Sequence, residues 1–245
     1  MIVELFGPPG VGKTLFTAAL TQAMREHGCP MEPVMSYRPA EQKAGRAGGQ
    51  ALAAMHRVIR PVMETLAVAR RPPHGAREVG TPAGLIGLLP PRNLMWSIRL
   101  QQYLMRLFRS WEAAAAAQHT VLFDQAFVQA VASLALLCRA PDWTLVEQAL
   151  DAVPKPEILI LLTAPRDMLE ARLTERQQRQ GRMERLLELD LPDNLRTIGI
   201  IERLHGLLRE RGRTVISVDS TGPDTLWEGV ARTVARLEAL ETLAS

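Results

Sequence analysis

Short apolar runs alternate along the chain with longer stretches in which apolar residues recur every three or four positions. The runs at 2–6, 31–37, 120–124, 158–163 and 214–219 predict five strands. Most are continuously apolar, as expected for strands buried on both faces, so the pattern predicts an α/β protein: a parallel sheet with helices on both sides. A helix is predicted from Lys13 to about Glu26, closed by Gly28, and another at 50–69. The segment 39–49 is polar and contains Gly, and the Pro- and Gly-rich segment 70–92 reads as a loop or excursion. A further helix follows it. There Arg99, Gln102, Arg106 and Arg109 form a polar stripe, with Leu94, Ile98, Met105 and Phe108 assigned to the apolar side. No internal repeat is present, and one continuous unit over 1–245 is expected.

Charge adds little at first. The chain has 29 Lys plus Arg against 26 Asp plus Glu, a formal charge of +3. The lysines are Lys13, Lys43 and Lys155 alone, and every other cation is Arg. The pI of about 9.2 permits an anionic partner. Basic residues without interleaved aromatics, however, do not make a nucleic-acid-reading face, and no nucleic-acid partner is expected. The histidines show no HxxxH spacing or Cys/His cluster, which argues against zinc. Cys29 and Cys138 read as two reduced, half-buried thiols. The longest uncharged apolar stretch, 126–138, is shorter than the ~18 residues that span a bilayer, and no basic segment precedes the first strand. A cytoplasmic protein without a membrane partner is the expectation.

The strongest chemical signal is Gly7-Pro8-Pro9-Gly10-Val11-Gly12-Lys13-Thr14, set between the first strand and the first helix. It fits G-x-x-x-x-G-K-[ST] at every fixed position. Glycines let backbone N–H groups turn inward around a phosphate, and the helix that follows aims its positive end at the same oxygens. The expected nucleotide-binding residues are Gly7, Pro8, Pro9, Gly10, Val11, Gly12, Lys13, Thr14 and the adjoining Leu15. Lys13 would bridge the β- and γ-phosphates and the Thr14 hydroxyl would ligate Mg²⁺. The strand at 120–124 ends in Asp124, placed to serve as the second Mg²⁺ ligand at the C-terminal edge of the sheet. This context predicts a three-layer P-loop NTPase fold.

After the fourth strand a helix runs through Arg172, Arg176, Arg179, Arg182 and Arg185, mostly on one face. Guanidinium forks complement the charge that spreads over a transferring phosphoryl group, and a mobile lid of this kind excludes water. The region 172–185 is the expected lid, with Arg176 and Arg182 the first choices for phosphate.

With these residues in place, the chain resembles P-loop kinases of the nucleoside monophosphate kinase group, thymidylate kinases above all. Trp96-Ser97-Ile98-Arg99-Leu100-Gln101-Gln102 is similar to the family's helix whose Arg and following Gln meet the acceptor. Tyr37-Arg38-Pro39 sits where the family has Arg-Glu-Pro, Phe123-Asp124-Gln125-Ala126 where it has Asp-Arg-Tyr, and the segment from Arg179 to Glu184 resembles its lid. The resemblance implies ATP and Mg²⁺ as cofactors and a small-molecule phosphate acceptor, held on the 40–117 side by Arg38, Arg99, Gln102 (or Gln101) and Gln125. It also implies a homodimer. Gln125 and Ala126 replace the family's Arg and Tyr, and a Gln cannot supply the bidentate charged grip of Arg, so thymidine monophosphate is not carried over as the acceptor.

Two function classes follow. The first is an ATP-dependent phosphotransferase moving the γ-phosphate of Mg-ATP to a nucleotide or nucleoside, with Lys13, Asp124, Arg176 and Arg182 as catalytic residues. A hydroxyl acceptor would need a carboxylate such as Asp124 or Glu41 to take its proton. The alternative is a nucleotide-dependent regulatory ATPase or switch acting on a protein partner through the helices between 50 and 109.

Overall fold

A computed structural model describes residues 1–35, 80–138, 141–179 and 189–244. The elements run β1 (Ile2–Phe6), α1 (Lys13–Glu26), β2 (Glu32–Val34), α2 (Pro82–Leu88), α3 (Leu94–Ala116), β3 (Val121–Phe123), α4 (Phe127–Leu137), α5 (Trp143–Ala152), β4 (Ile158–Thr163), α6 (Arg166–Arg179), α7 (Leu191–Glu210), β5 (Val215–Asp219) and α8 (Pro223–Ala244). All five strands are parallel, in the order β2-β3-β1-β4-β5. The first strand is therefore central, with Val3 in register with both Leu122 and Ile158. The chain builds β2 and β3 on one side of β1 and β4 and β5 on the other, which brings the loop after β1 to the crevice where ligands bind such sheets.

Alternate residues of each strand enter two cores, which is why the strands read as unbroken apolar runs. Ile2, Phe6, Val121, Phe123 and Leu159 pack with α3, α4 and α7, whereas Val3, Leu5, Leu122, Ile160 and Leu162 pack with α1 and α8. The uncharged stretch at 126–138 is the buried helix α4, apolar on all sides because it lies between the sheet and α7. Among the described residues no helix is long and apolar enough to cross a membrane. Cys29 and Cys138 are half-buried and are not joined in a disulfide.

Three expectations are corrected. The strand expected at 31–37 is limited to Glu32–Val34 in the described residues, because it lies at the sheet edge with a single neighbour to pair with. The loop expected at 70–92 contains helix α2. The Thr81 hydroxyl accepts from Gly84 N at 3.1 Å, Pro82 fills a first-turn position that needs no N–H, and Leu85 and Leu89 are fully buried. Finally, α3 buries Leu100, Leu104, Leu107, Trp111 and Ala114; of the apolar side expected, Phe108 packs on Phe127 with ring centroids 4.7 Å apart, whereas Leu94 is 75% exposed. Apolar residues cover more than half of this helix, and the stripe that continues unbroken to Trp111 is the one that packs, with Trp111 against Phe123 and Phe127. The start of α3 is anchored by Arg92, whose backbone N donates to Leu137 O at 2.8 Å and whose guanidinium pairs with Asp193 of α7. The helix expected at 50–69 lies outside the described residues.

Candidate active site

The loop after β1 is shaped by its glycines. Gly12 precedes α1 at φ 93°, and Gly10 has φ 79°. At Gly7 a Cβ would stand 2.6 Å from Leu162 O of β4, so only glycine permits this close approach. The N-terminus of α1 has no side-chain cap and no acidic residue in its first turn. Its free N–H groups and positive dipole end are thus left for an external anion.

Lys13 turns back over the loop. Its Nζ donates to Gly7 O at 2.7 Å and Pro8 O at 3.1 Å. Burial lowers its pKa to about 8; Arg176 pushes in the same direction and Asp124 opposes it. Asp124 and Arg176 thus both act electrostatically on the buried Lys13 ammonium. Asp124 follows the last residue of β3, is only 3% exposed, and its backbone N donates to Val34 O at 3.2 Å. Thr14 is exposed at the start of α1, and so is Leu15.

The loop is held on its other sides by contacts that sequence reasoning did not assign, among them those of Arg172, expected in the lid. Arg172 of α6 donates to Gly10 O (3.5 Å), and also to Ser220 O (3.1 Å) and Thr221 O (3.4 Å) beyond β5. The Ser220 hydroxyl lies 2.7 Å from Val11 O and 3.1 Å from Thr163 O. Gln129 of α4 accepts from Gly7 N at 3.2 Å. Below the loop, Glu4 of β1 is fully buried, and burial pushes its carboxyl up to about 8 against the lowering effect of backbone N–H groups at the start of α4. Tyr103 of α3 lies within electrostatic reach of both Glu4 and Asp124. A charge inside the run Ile2–Phe6 was the one sequence signal for Glu4.

The acceptor-side expectations divide. Arg99 is exposed, its guanidinium 4.8 Å from the Trp96 ring centre. Gln102 is half-buried and its Nε2 is buried without a hydrogen-bond partner. Gln125 directly follows Asp124 and is half-buried. Arg38, Glu41 and Arg182 lie outside the described residues.

Asp124, just after β3, and the Thr14 hydroxyl, in the first turn of α1, are hard oxygen donors, the chemistry that suits Mg²⁺. Among the described residues no group of three or more His, Cys, Asp or Glu is placed to hold a metal. A cation here would draw its other ligands from phosphate and water, as Mg²⁺ commonly does.

No protein-family model and no curated protein matches the chain. Solved structures do. A deoxyadenosine kinase from M. mycoides with bound dATP is 14% identical, with a TM-score of 0.52 over 97% of this chain and 100% of that one. A second structure of that kinase, with dCMP and a flexible dCDP as products, is 13% identical, with a TM-score of 0.51 over 98% and 100%. The likeness establishes the fold: a three-layer α/β P-loop NTPase with a five-stranded parallel sheet.

Proposed function

We propose that the protein is an ATP-dependent phosphotransferase that moves the γ-phosphoryl group of ATP to a nucleoside or nucleotide. The observation that carries this reading is the glycine loop that opens an uncapped helix and folds Lys13 Nζ back onto Gly7 O and Pro8 O, with Asp124 and Arg176 within electrostatic reach of that ammonium. The fold shared with a deoxyadenosine kinase favours a deoxynucleoside or its monophosphate as acceptor. The thymidylate kinase resemblance is retained only at the level of the helix carrying Arg99 and Gln102.

In this mechanism the backbone N–H groups of the loop and the start of α1 bind the β- and γ-phosphates. Lys13 exchanges its contacts with Gly7 O and Pro8 O for phosphate oxygens. Thr14 and Asp124 would hold Mg²⁺, which would supply positive charge against the phosphates. Arg176, joined by Arg182 of the lid, meets the charge that develops on the transferring group. The bond from γ-phosphorus to the bridging oxygen breaks, ADP leaves, and a bond to the acceptor oxygen forms. A phosphate acceptor needs no base. A hydroxyl acceptor must lose a proton to a carboxylate, Glu41 or Asp124. Arg38, Arg99, Gln102 and Gln125 would orient the acceptor. The chain would act as one kinase unit, with the acceptor side at 40–117 and the lid at 172–185.

Incubation with γ-labelled ATP and a panel of deoxynucleosides and their monophosphates tests the proposal. Label in an organic product supports it, and release of inorganic phosphate alone points instead to a regulatory ATPase.

A further inference from the structure

The start of α4 is capped from a distant part of the chain. Ala126, at its N-cap position, supplies no side-chain hydrogen bond. Glu4 supplies it instead: its Oε1 accepts from Val128 N at 2.7 Å and Gln129 N at 3.3 Å, across 124 residues of sequence. Glu4 lies on the central strand, in register with Phe123 and Leu159, so α4 is fixed relative to the middle of the sheet. Gln129, 8% exposed, then presents its carboxamide oxygen to Gly7 N at 3.2 Å. The carbonyl of the same glycine accepts from Lys13 Nζ at 2.7 Å. Gly7 is therefore held on both sides, its N–H by Gln129 and its C=O by Lys13.

We infer that Gln129 is a positioning residue for the nucleotide phosphates, held in register by Glu4, which sets the first peptide of the phosphate loop. The inference rests on the nucleotide-binding reading of that loop.

Capping of α4 accounts for Glu4 Oε1, but not for its second oxygen or for the carboxamide of Gln129. Glu4 Oε2 is buried without a partner, as is the Tyr103 hydroxyl. Gln129 also stands in a helix whose other buried positions are all apolar. With Met at that position the Gly7 amide would lose its acceptor.

The test uses the full chain, Mg²⁺ and a non-hydrolysable ATP analogue. Gln129→Met, of similar length but with no amide oxygen, is expected to raise the analogue's Kd about five- to tenfold, the worth of one hydrogen bond near 1 kcal/mol. In the nucleotide-free protein, the Gly7 amide proton is expected to shift upfield and exchange faster. Ser133→Ala, which removes another side-chain bond of the same helix (to Gln129 O, 3.0 Å), should move neither readout. Glu4→Leu should weaken binding as Gln129→Met does, and Glu4→Gln, which keeps an acceptor for Val128 N, should rescue it. If the wild type binds the analogue and folded Gln129→Met or Glu4→Leu binds it within twofold, the positioning role is overturned. If the wild type itself does not bind, the nucleotide reading of the loop fails, and this inference with it.

Discussion

The ammonium of Lys13 sits 2.7 Å from the carbonyl of Gly7, six residues earlier in the chain, so the residue that opens α1 also closes the loop before it. This contact buries a cation at a loop that has no acidic residue of its own. On the proposed reading, a bound phosphate would offset the cost of that burial.

Lys13→Ala therefore separates function from stability. Phosphoryl transfer should fall about a hundredfold or more, as when a preorganised donor to a transition-state oxygen is removed. Thermal unfolding should shift little, because a desolvated charge leaves together with its two carbonyl contacts. Parallel melting curves and label-transfer rates check this.

The two neighbouring arginines of α6 should behave differently. Arg172 holds Gly10, Ser220 and Thr221 through their carbonyls, so Arg172→Ala should cost about 1–2 kcal/mol in denaturant unfolding. Arg176 acts electrostatically on Lys13. Arg176→Ala should lower transfer by about a hundredfold or more and destabilise less than Arg172→Ala.

Loop glycines provide a steric test. Gly7→Ala places a Cβ 2.6 Å from Leu162 O and should destabilise by about 3 kcal/mol. Gly12→Ala meets nothing within 4 Å but keeps a φ of 93°, so about 1–2 kcal/mol is expected. Reversal of that order in chemical denaturation would contradict the packing of the loop against β4.

Stability should also depend on pH through Glu4. Burial raises its folded pKa from the ordinary carboxyl value of 4.5 to about 8, so between these values the folded state holds a proton that the unfolded state has released. The stabilisation is complete below pH 4.5 and is lost as pH rises towards 8, with a slope of at most about 1.4 kcal/mol per pH unit. Lys13 has the opposite sign: its folded pKa is lowered from 10.5 to about 8, so its burial cost is full below pH 8 and fades as pH rises towards 10.5. A stability minimum near pH 8 is expected. Glu4→Gln should flatten the acidic limb and leave the alkaline one.

Much of this was legible in the sequence, for identifiable reasons. Ile2–Phe6 and Ile158–Thr163 are strands buried on both faces, and such runs have few other readings; Lys13–Glu26 is bounded by the loop motif and by Gly28. The strand order was not legible, because it depends on which crossover lies beside β1. Arg172 and Arg176 lie one helical turn apart with the same charge, and only their place against the loop separates a clamp from an electrostatic partner. The role of Glu4 was hidden because the N–H groups it caps lie 124 residues away. Helix α2 was masked by its own Pro and Gly content, although Thr81-Pro82 is a sound start signal.

The central claim is phosphoryl transfer dependent on Lys13, and its most direct measurement follows γ-labelled ATP with deoxynucleoside or deoxynucleoside monophosphate acceptors, wild type beside Lys13→Ala. Labelled nucleotide product from the wild type and none from the folded variant is the predicted result. Equal product from both, or no organic product from the wild type with any acceptor, would contradict it.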